Sequence, residues 1–514
     1  MIKSKVVRDT LLLTVMQLFL DTAALLLNVF INRQLGTSAI GILSLMGSFL
    51  GLAGILSNGN AFLCMSRLVS EELGKPSGDP NRILGYGVKL CLMLSAVVSC
   101  GVIILAEPIS RRFFSGAHMT AALRFMPLAL VAGAAAACLK GYFNAARKAS
   151  VTAAGDILEF VTRCGVIVGA TCAVKTCTED TVCRIMIGGI IAGNAVSLVF
   201  LGIAYLRNRI RQTGRCSLNF RQYAAFSFPI MGGSVLTAVL SSTNDALIPV
   251  CLRQFGDSAG DALGKFGVFE AIVIPTLFFP SVVLCSMSGI IVSETARARA
   301  ARNSLRIKSL TERIIALTLM FSVFAAAVLM RFGGQIGELL GGGELGGTMI
   351  TIIAPVVPFI YMEIVLEAII KGLGLQSFSS VNYLAEYVIR IAAVFIIVPK
   401  TGFYGIVVSY YASNIFGNCM RFIKVTKEAR IRRALCGTLI LPVILAFVSM
   451  IAAETITRFM EPDFGKIPDM LFFGLIWGAL YFGFFCALGK VKLFSKCGED
   501  LFVDTAQQSI ERIL

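Results

Sequence analysis

Residues 40–65 read IGILSLMGSFLGLAGILSNGNAFLCM, without a single Lys, Arg, Asp or Glu. A helix of this length rises beyond the roughly 30 Å that it takes to cross the hydrocarbon core of a bilayer. The stretch therefore predicts a transmembrane helix. Most of the chain is similarly apolar, so the sequence predicts a membrane protein.

Thirteen further stretches of this kind fill most of the 514 residues, and the composition agrees with them. Hydrophobic residues make up 56% of the chain and charged residues 15%, with a mean hydropathy of +0.81. These values leave no room for a large water-soluble domain and predict an all-α, polytopic membrane protein with about 14 transmembrane helices. The predicted spans are 11–31, 40–65, 83–106, 119–139, 151–174, 185–206, 224–252, 264–292, 314–332, 348–370, 381–398, 404–424, 435–456 and 470–489.

Basic residues concentrate in every second connection between these spans. The densest groups lie at 207–211, 297–313 and 421–433, whereas the connection 254–264 contains Asp257 and Asp261 and no Lys or Arg. The positive-inside rule then predicts a multi-pass protein of the plasma membrane with cytoplasmic N- and C-termini. The net charge of +16 reflects this orientation and contact with anionic lipid head groups, and it does not predict nucleic-acid binding.

The chain contains an internal repeat. A shift of 227 residues places Glu159 on Glu386 and brings each of spans 1 to 6 roughly onto the span six places later. An even number of spans per repeat gives both halves the same orientation, the parallel arrangement in which transporters bind substrate between two lobes. We predict an N-lobe at 1–222, a C-lobe at 223–433, two added helices at 434–489 and a cytoplasmic tail at 490–514.

The two equivalent helices of the repeat each contain a carboxylate and a guanidinium four residues apart. These are Glu159 with Arg163 and Glu386 with Arg390. Residues at this spacing share one face of a helix, so opposite charges can neutralise each other there. We interpret both as structural ion pairs, with a role in binding substrate or protons as the alternative.

Other polar residues lie deeper in their spans, where they usually face a bundle interior or a watery cavity. For single asparagines, hydrogen bonding between helices is the alternative. By contrast, Gly47 and Gly51 have the small-xxx-small spacing that favours close helix packing. The predicted cavity residues are Asp21, Asn28, Asn60, Asn244, Asp245 and Glu270.

Metal and cofactor chemistry is not indicated by the sequence. The only histidine, His118, lies in a predicted outer connection, and the 15 cysteines are scattered along the chain. No cluster has the spacing of a metal site. We predict no metal, no cofactor and no catalytic residue. A membrane-embedded glycosyltransferase is the alternative, but it needs acid, base or metal-binding groups at a water-accessible site, and the predicted outer connections are short and supply one histidine.

Several short segments, in this order and at this spacing, carry a resemblance to a known family. The segments are 140–148 followed by Glu159 and Arg163, 244–249, 267–275, 279–294 and 372–374. On these segments the chain resembles the oligosaccharide and polysaccharide flippases of the multidrug/oligosaccharidyl-lipid/polysaccharide exporter superfamily, which also includes the MATE-like transporters. Within the flippases it is most similar to the stage V sporulation protein B-like branch.

This resemblance implies two six-helix lobes around a central cavity and the flipping of a polyprenyl-pyrophosphate-linked sugar by alternating access. Family members commonly hold the pyrophosphate with cationic residues, and Arg33 at the end of span 1 matches a frequently basic position. We therefore expect Arg33→Ala to abolish flipping. The alternative is an ion-coupled multidrug or cation antiporter of the same superfamily, in which Asp21, Asp245 or Glu270 exchanges a proton or sodium ion for an organic cation.

Overall fold

The computed structural model describes residues 2–73, 78–113, 119–174, 179–209, 218–431, 436–460 and 465–488. Every regular element within these ranges is a helix. His118 and the predicted tail 490–514 lie outside the described residues. The α-helices are α1 (Ile2–Leu35), α2 (Thr37–Asn58), α3 (Ala61–Leu73), α4 (Pro80–Ile104), α5 (Ala106–Phe113), α6 (Thr120–Ala145), α7 (Ala149–Ala173), α8 (Glu179–Asn208), α9 (Phe220–Phe255), α10 (Ala259–Val268), α11 (Ile274–Phe278), α12 (Val282–Ala300), α13 (Ser304–Leu339), α14 (Gly343–Ile353), α15 (Val357–Gly372), α16 (Gln376–Thr401), α17 (Phe403–Glu428), α18 (Cys436–Met460) and α19 (Lys466–Leu488).

All fourteen predicted spans fall on helices, which confirms an all-helical, multi-pass membrane protein. Twelve segments of the described chain are long and apolar enough to cross a membrane, so the predicted number of about 14 is not confirmed. The two predicted spans without such a segment coincide with α7 and α17. These helices have 25 and 26 residues, but they carry more charge, such as Asp156, Glu159 and Arg163 in α7.

Local sequence signals explain where several helices begin and end. Asp79 precedes α4, and its carboxylate accepts hydrogen bonds from the backbone N–H groups of Asn81 and Arg82, both at 3.1 Å. A polar side chain at this position satisfies backbone donors that the first helical turn leaves free. Gly59 ends α2 with φ of 57°, a left-handed conformation that glycine adopts at little cost.

Helices α2 and α10 cross at a pair of glycines. A Cβ atom on Gly41 would lie 1.9 Å from the carbonyl oxygen of Leu263, and one on Gly267 would lie 2.4 Å from the backbone nitrogen of Gly41. No side chain fits at such distances. The two glycines therefore permit the close approach that places the end of α10 beside α2.

The chain forms two compact units. Unit 1 comprises Met1–Pro275, Leu340–Leu345 and Tyr383–Ala412, and unit 2 comprises Thr276–Leu339, Gly346–Asn382 and Ser413–Leu514. The N-lobe and C-lobe inferred from the internal repeat follow different boundaries and stay a prediction.

Each unit has its own apolar core. In unit 1, the buried side chains of Met65, Tyr142 and Tyr223 bring α3, α6 and α9 together. In unit 2, Trp477 and Tyr481 of α19 pack on α13 and α18, and the Trp477 indole N–H donates to the carbonyl oxygen of Ala446 at 3.2 Å. The buried indole therefore has the hydrogen-bond partner that it requires.

Candidate substrate cavity

Unit 1 contains a cavity of about 970 Å³. Its walls come from α1, α2, α7, α8, α9, the turn after α10 and α16, and all its lining residues belong to this unit. This volume lies at the upper end of the range typical of ligand-binding cavities. The cavity is the place where the predicted polar residues can be compared with the structure.

Asp245 of α9 is one of two carboxylates that line the cavity. The Ser48 hydroxyl of α2 donates to Asp245 Oδ2 at 2.6 Å, and the Asn244 amide donates to Oδ1 at 3.2 Å. Ser242 in turn donates to the carbonyl oxygen of Ser48 at 2.9 Å. These contacts fix the carboxylate between two helices.

Glu270 is the second carboxylate, and it lies in a short π-helical turn, Phe269–Val273. In this turn the backbone N–H of Ile274 donates to the carbonyl oxygen of Phe269, five residues earlier. Such turns insert one extra residue into a helix and often occur at functional sites. Asn28 of α1 donates to the carbonyl oxygen of Ala271 at 3.0 Å, so a predicted cavity residue holds the turn in place.

Arg163 of α7 supplies a positive charge to the cavity lining. Its guanidinium lies 5.3 Å from the ring centroid of Phe160, which also lines the cavity. Within the described ranges, Arg163 forms no ion pair and no side-chain hydrogen bond. The sequence favoured a structural pair with Glu159 and kept a role in binding substrate or protons as the alternative, and the place of Arg163 in the cavity lining fits that alternative.

Glu159 pairs with a different cation than the one predicted. Lys140 of α6 reaches across to α7, where its Nζ lies 2.8 Å from Glu159 and 2.6 Å from Asp156. Lys140 thus bridges two carboxylates about one helical turn apart, and Arg163 lines the cavity. The predicted pair of Glu159 with Arg163 is therefore wrong, because Glu159 pairs with Lys140.

The equivalent pair in the second repeat is present. Arg390 Nη2 lies 3.3 Å from Glu386 Oε1, and the guanidinium lies 4.9 Å from the ring centroid of Tyr410. Neither side chain of this pair lines the cavity.

The other predicted residues lie outside the cavity lining. Asn60 donates to the hydroxyl of Ser234 at 2.8 Å, and Ser234 itself lines the cavity. Asp21 accepts a hydrogen bond from Gln17 at 2.8 Å on an exposed part of α1. Arg33 is also exposed, near the other end of the same helix. The structure thus brings together Asn28, Asn244, Asp245 and Glu270, supports them through Asn60, and places Asp21 and Arg33 apart.

The glycines of α2 have a different role from the predicted one. Nothing lies within 4 Å of the position that a Cβ atom would occupy on Gly47 or Gly51, and both residues line the cavity. They enlarge the cavity instead of packing against a second helix. The close contact of α2 occurs at Gly41, which the small-xxx-small pattern did not single out.

Sequence reasoning also missed a buried charge cluster in unit 2. Arg421 was assigned to a basic connection, but it lies in α17 and is completely buried. Its Nη2 lies 3.1 Å from Glu363, and its Nε lies 3.6 Å from Glu367. Glu363 and Glu367 stand four residues apart inside an apolar span, a spacing that could have indicated a basic partner.

Among the described residues, no group of three or more His, Cys, Asp or Glu side chains could hold a metal ion. The cavity lining contains two carboxylates, one guanidinium and several hydroxyl groups. Groups of this kind can form hydrogen bonds and ion pairs with a polar or charged molecule.

Comparison with known proteins agrees with this architecture. Residues 6–258 match the family described as "Polysaccharide biosynthesis protein". Stage V sporulation protein B of Bacillus subtilis (strain 168) is 19% identical over 417 residues, which cover 79% of this chain and 80% of that protein. Sporulation protein YkvU of the same organism is 17% identical, over 84% of this chain and 98% of the relative.

Solved structures share the fold. The structure described as "Lipid II flippase MurJ, inward closed conformation" matches with a TM-score of 0.65 and 13% identity, over 93% of this chain and 99% of that chain. At such low identity the match shows the fold alone. An inward-facing multidrug resistance transporter of the MATE family matches with a TM-score of 0.57 and 16% identity, over 81% of this chain and 96% of that chain. Together these findings confirm the predicted resemblance: residues 6–258 match the polysaccharide biosynthesis protein family, and the chain shares the fold of these solved structures.

Proposed function

We propose that this chain moves a lipid-linked oligosaccharide or polysaccharide precursor across the membrane and that the cavity of unit 1 binds its head group. The observation that carries the proposal is a large cavity lined by charged and hydroxyl side chains inside a protein of apolar spans. The family match and the flippase fold support it. The activity is transport, so the cavity residues bind and release a substrate and do not transform it.

Moving a charged head group across a membrane requires a polar path, and the cavity is lined by polar and charged side chains. A phosphorylated sugar cannot pass through hydrocarbon unaided, because the transfer of a charge out of water without compensation is very costly. A flippase must offer a hydrated polar path while the lipid tail stays in the bilayer. Arg163 provides a guanidinium, which can bind phosphate oxygens in bidentate fashion.

We further propose the plasma membrane as the location, with both termini in the cytoplasm and movement from the inner to the outer leaflet. The distribution of basic connections supports this orientation. A polyprenyl-pyrophosphate-linked sugar is the proposed partner, and polymers of the cell envelope or of the spore are its proposed destination. The names of two relatives refer to sporulation, which supports the latter. Alternating access of the two predicted lobes is the proposed mechanism, since the internal repeat is of the parallel kind.

The second candidate function is an ion-coupled antiporter for organic cations. The carboxylates of Asp245 and Glu270 in the cavity favour it, since either can bind a proton or a sodium ion. The fold that the chain shares with a MATE family transporter is compatible with this function too. The flippase is favoured because the family match concerns polysaccharide biosynthesis.

Reconstitution separates the two candidates. The purified protein is reconstituted in liposomes, and two activities are measured. These are the translocation of a fluorescent polyprenyl-pyrophosphate-linked sugar and the transport of ethidium, each with and without a proton or sodium gradient. We expect protein-dependent translocation of the sugar lipid and no gradient-driven ethidium transport. The reverse pattern would establish the antiporter.

A further inference from the structure

Two charged groups of opposite sign line the cavity without a hydrogen bond from the described residues. Neither the Arg163 guanidinium nor the Glu270 carboxylate is hydrogen-bonded to another side chain or to the backbone in the described parts of the chain, although both line the cavity. Charged groups in protein interiors are normally paired. Both groups are therefore positioned to bind charges that a ligand brings.

Two carboxylates, those of Asp245 and Glu270, line the cavity. The ion pair of Arg390 with Glu386, at 3.3 Å, does not belong to the lining. Arg163 is the basic side chain of the lining, and it comes from a different helix, α7. The two carboxylates therefore offer a site for a cationic group of a ligand.

The remaining polar lining is neutral. It includes the hydroxyl groups of Ser44, Thr237 and Ser241, which can both donate and accept hydrogen bonds. Such groups suit the hydroxyl groups of a sugar. The cavity thus combines one cationic site, one anionic site and neutral hydrogen-bonding groups.

We propose that the sugar of the transported lipid carries a free, protonated amine. Phosphoryl oxygens of the head group bind Arg163, and the ammonium group of the sugar binds the carboxylates of Glu270 and Asp245. The inference rests on the proposed function, because it assigns the chemical class of the head group in the same cavity. An N-acetylated sugar lacks the positive charge and leaves Glu270 without a partner.

The test compares two lipids that differ only at this nitrogen. Fluorescent polyprenyl-pyrophosphate lipids with glucosamine or N-acetylglucosamine are translocated by the full-length protein in liposomes. A charge-assisted hydrogen bond of typical strength predicts translocation about tenfold more efficient for the amine. Equal rates, or faster movement of the acetylated lipid, would overturn the inference while leaving the proposed function intact. Movement of neither lipid would overturn both.

Substitutions of Glu270 and Arg163 test which part of the lipid head group each side chain binds. Glu270→Gln is expected to remove the preference for the amine, so that both lipids move at the rate of the acetylated one. If Glu270→Gln instead slowed both lipids by the same factor, Glu270 would serve a coupling cation, and the inference would be overturned.

Arg163→Gln is expected to slow both lipids equally, about tenfold, and Arg163→Lys to restore part of the rate by keeping the charge. Arg184→Gln is the matched control, because Arg184 is exposed and pairs with Asp180 within α8. Unchanged translocation by a folded Arg163→Gln protein would exclude Arg163 as the phosphoryl site. Binding of glucosamine 1-phosphate to the detergent-purified variants, measured by calorimetry, gives a second readout that does not require flipping.

Discussion

At the scale of single residues, the cavity depends on how its carboxylates are held. Asp245 has a hydrogen-bond donor on each oxygen, whereas Glu270 has none from the described residues. A carboxylate fixed on both sides keeps its position when the cavity is empty. Glu270 remains available to a ligand, so the two acids have different roles despite their proximity.

A substitution at Ser48 tests whether its hydrogen bond fixes the carboxylate of Asp245. Ser48→Ala removes the 2.6 Å hydrogen bond to Asp245 and is expected to lower the free energy of unfolding by about 1–3 kcal/mol, since a charged acceptor loses its partner. Ser44→Ala, one turn earlier on the same helix, is the matched control. Ser44 lines the cavity without a hydrogen bond among the described residues, so its loss should change stability by less than about 0.5 kcal/mol. Thermal unfolding in detergent compares the two, and equal effects would contradict the assigned role of Ser48.

Arg421 provides a second test in unit 2. Arg421→Leu removes the buried cation of Glu363 and leaves the buried Glu367 only the half-exposed Lys371, at 3.4 Å, so it is expected to cost about 3–5 kcal/mol of stability. Replacing both glutamates by glutamine in the same protein should recover much of this loss. The control Arg458→Leu removes an exposed pair with Glu454, at 3.8 Å, and should have little effect. A single Arg421→Leu variant as stable as the control would show that the cluster is not structural.

The sequence predicted an ion pair correctly where both residues lie on the same helix. The spacing of Glu386 and Arg390 places them on one face, and they pair as predicted. It failed where a second helix intervenes, because Lys140 of α6 takes the carboxylate of Glu159. Spacing along one helix contains no information about which side chains a neighbouring helix brings.

At the scale of helices, glycine positions decide how closely neighbours approach. The contact of α2 with α10 depends on Gly41 and Gly267, whereas Gly47 and Gly51 open the same helix toward the cavity. Helix α2 therefore uses its glycines on two different faces. A pattern of small residues identifies such a helix, but it does not reveal which glycine faces a neighbour.

Gly41→Ala tests the crossing. The new methyl group would overlap the Leu263 carbonyl oxygen, and backbone atoms cannot move aside as a side chain can, so we expect a loss of about 3 kcal/mol or more. Gly85→Ala on α4 is the control, because nothing lies within 4 Å of its added carbon. That substitution should be neutral or stabilising, as alanine favours the helix. The unfolding midpoints of the two purified variants check the prediction, which fails if Gly41→Ala matches the control.

The helices themselves were largely predictable, because apolar stretches of membrane length permit no other regular structure that satisfies the backbone. The π-helical turn Phe269–Val273 was not predictable. It depends on local hydrogen bonds that have no distinctive residue pattern, and it determines the position of Glu270. The sequence identified Glu270 as a polar residue within a span, but it contained no sign of this turn.

At the scale of the whole molecule, the orientation follows from the distribution of charge and can be tested independently of transport. A fluorescent protein fused after Asn208, in a predicted inner connection, should fluoresce, and alkaline phosphatase fused there should be inactive. Fusions after Asp257, in a predicted outer connection, should give the opposite result. Active phosphatase at the first position would reverse the proposed direction of transport.

Passage of the head group through the cavity of unit 1 can be blocked by filling that cavity. Gly51→Trp introduces a large side chain where the structure has open space, so the variant should fold while the cavity is filled. Gly169→Trp is the matched control, since Gly169 also has open space around it but does not line the cavity. Translocation of the fluorescent sugar lipid in liposomes is measured for both. We expect Gly51→Trp to abolish translocation and Gly169→Trp to retain it, whereas wild-type rates for a folded Gly51→Trp protein would show that the head group does not pass through this cavity.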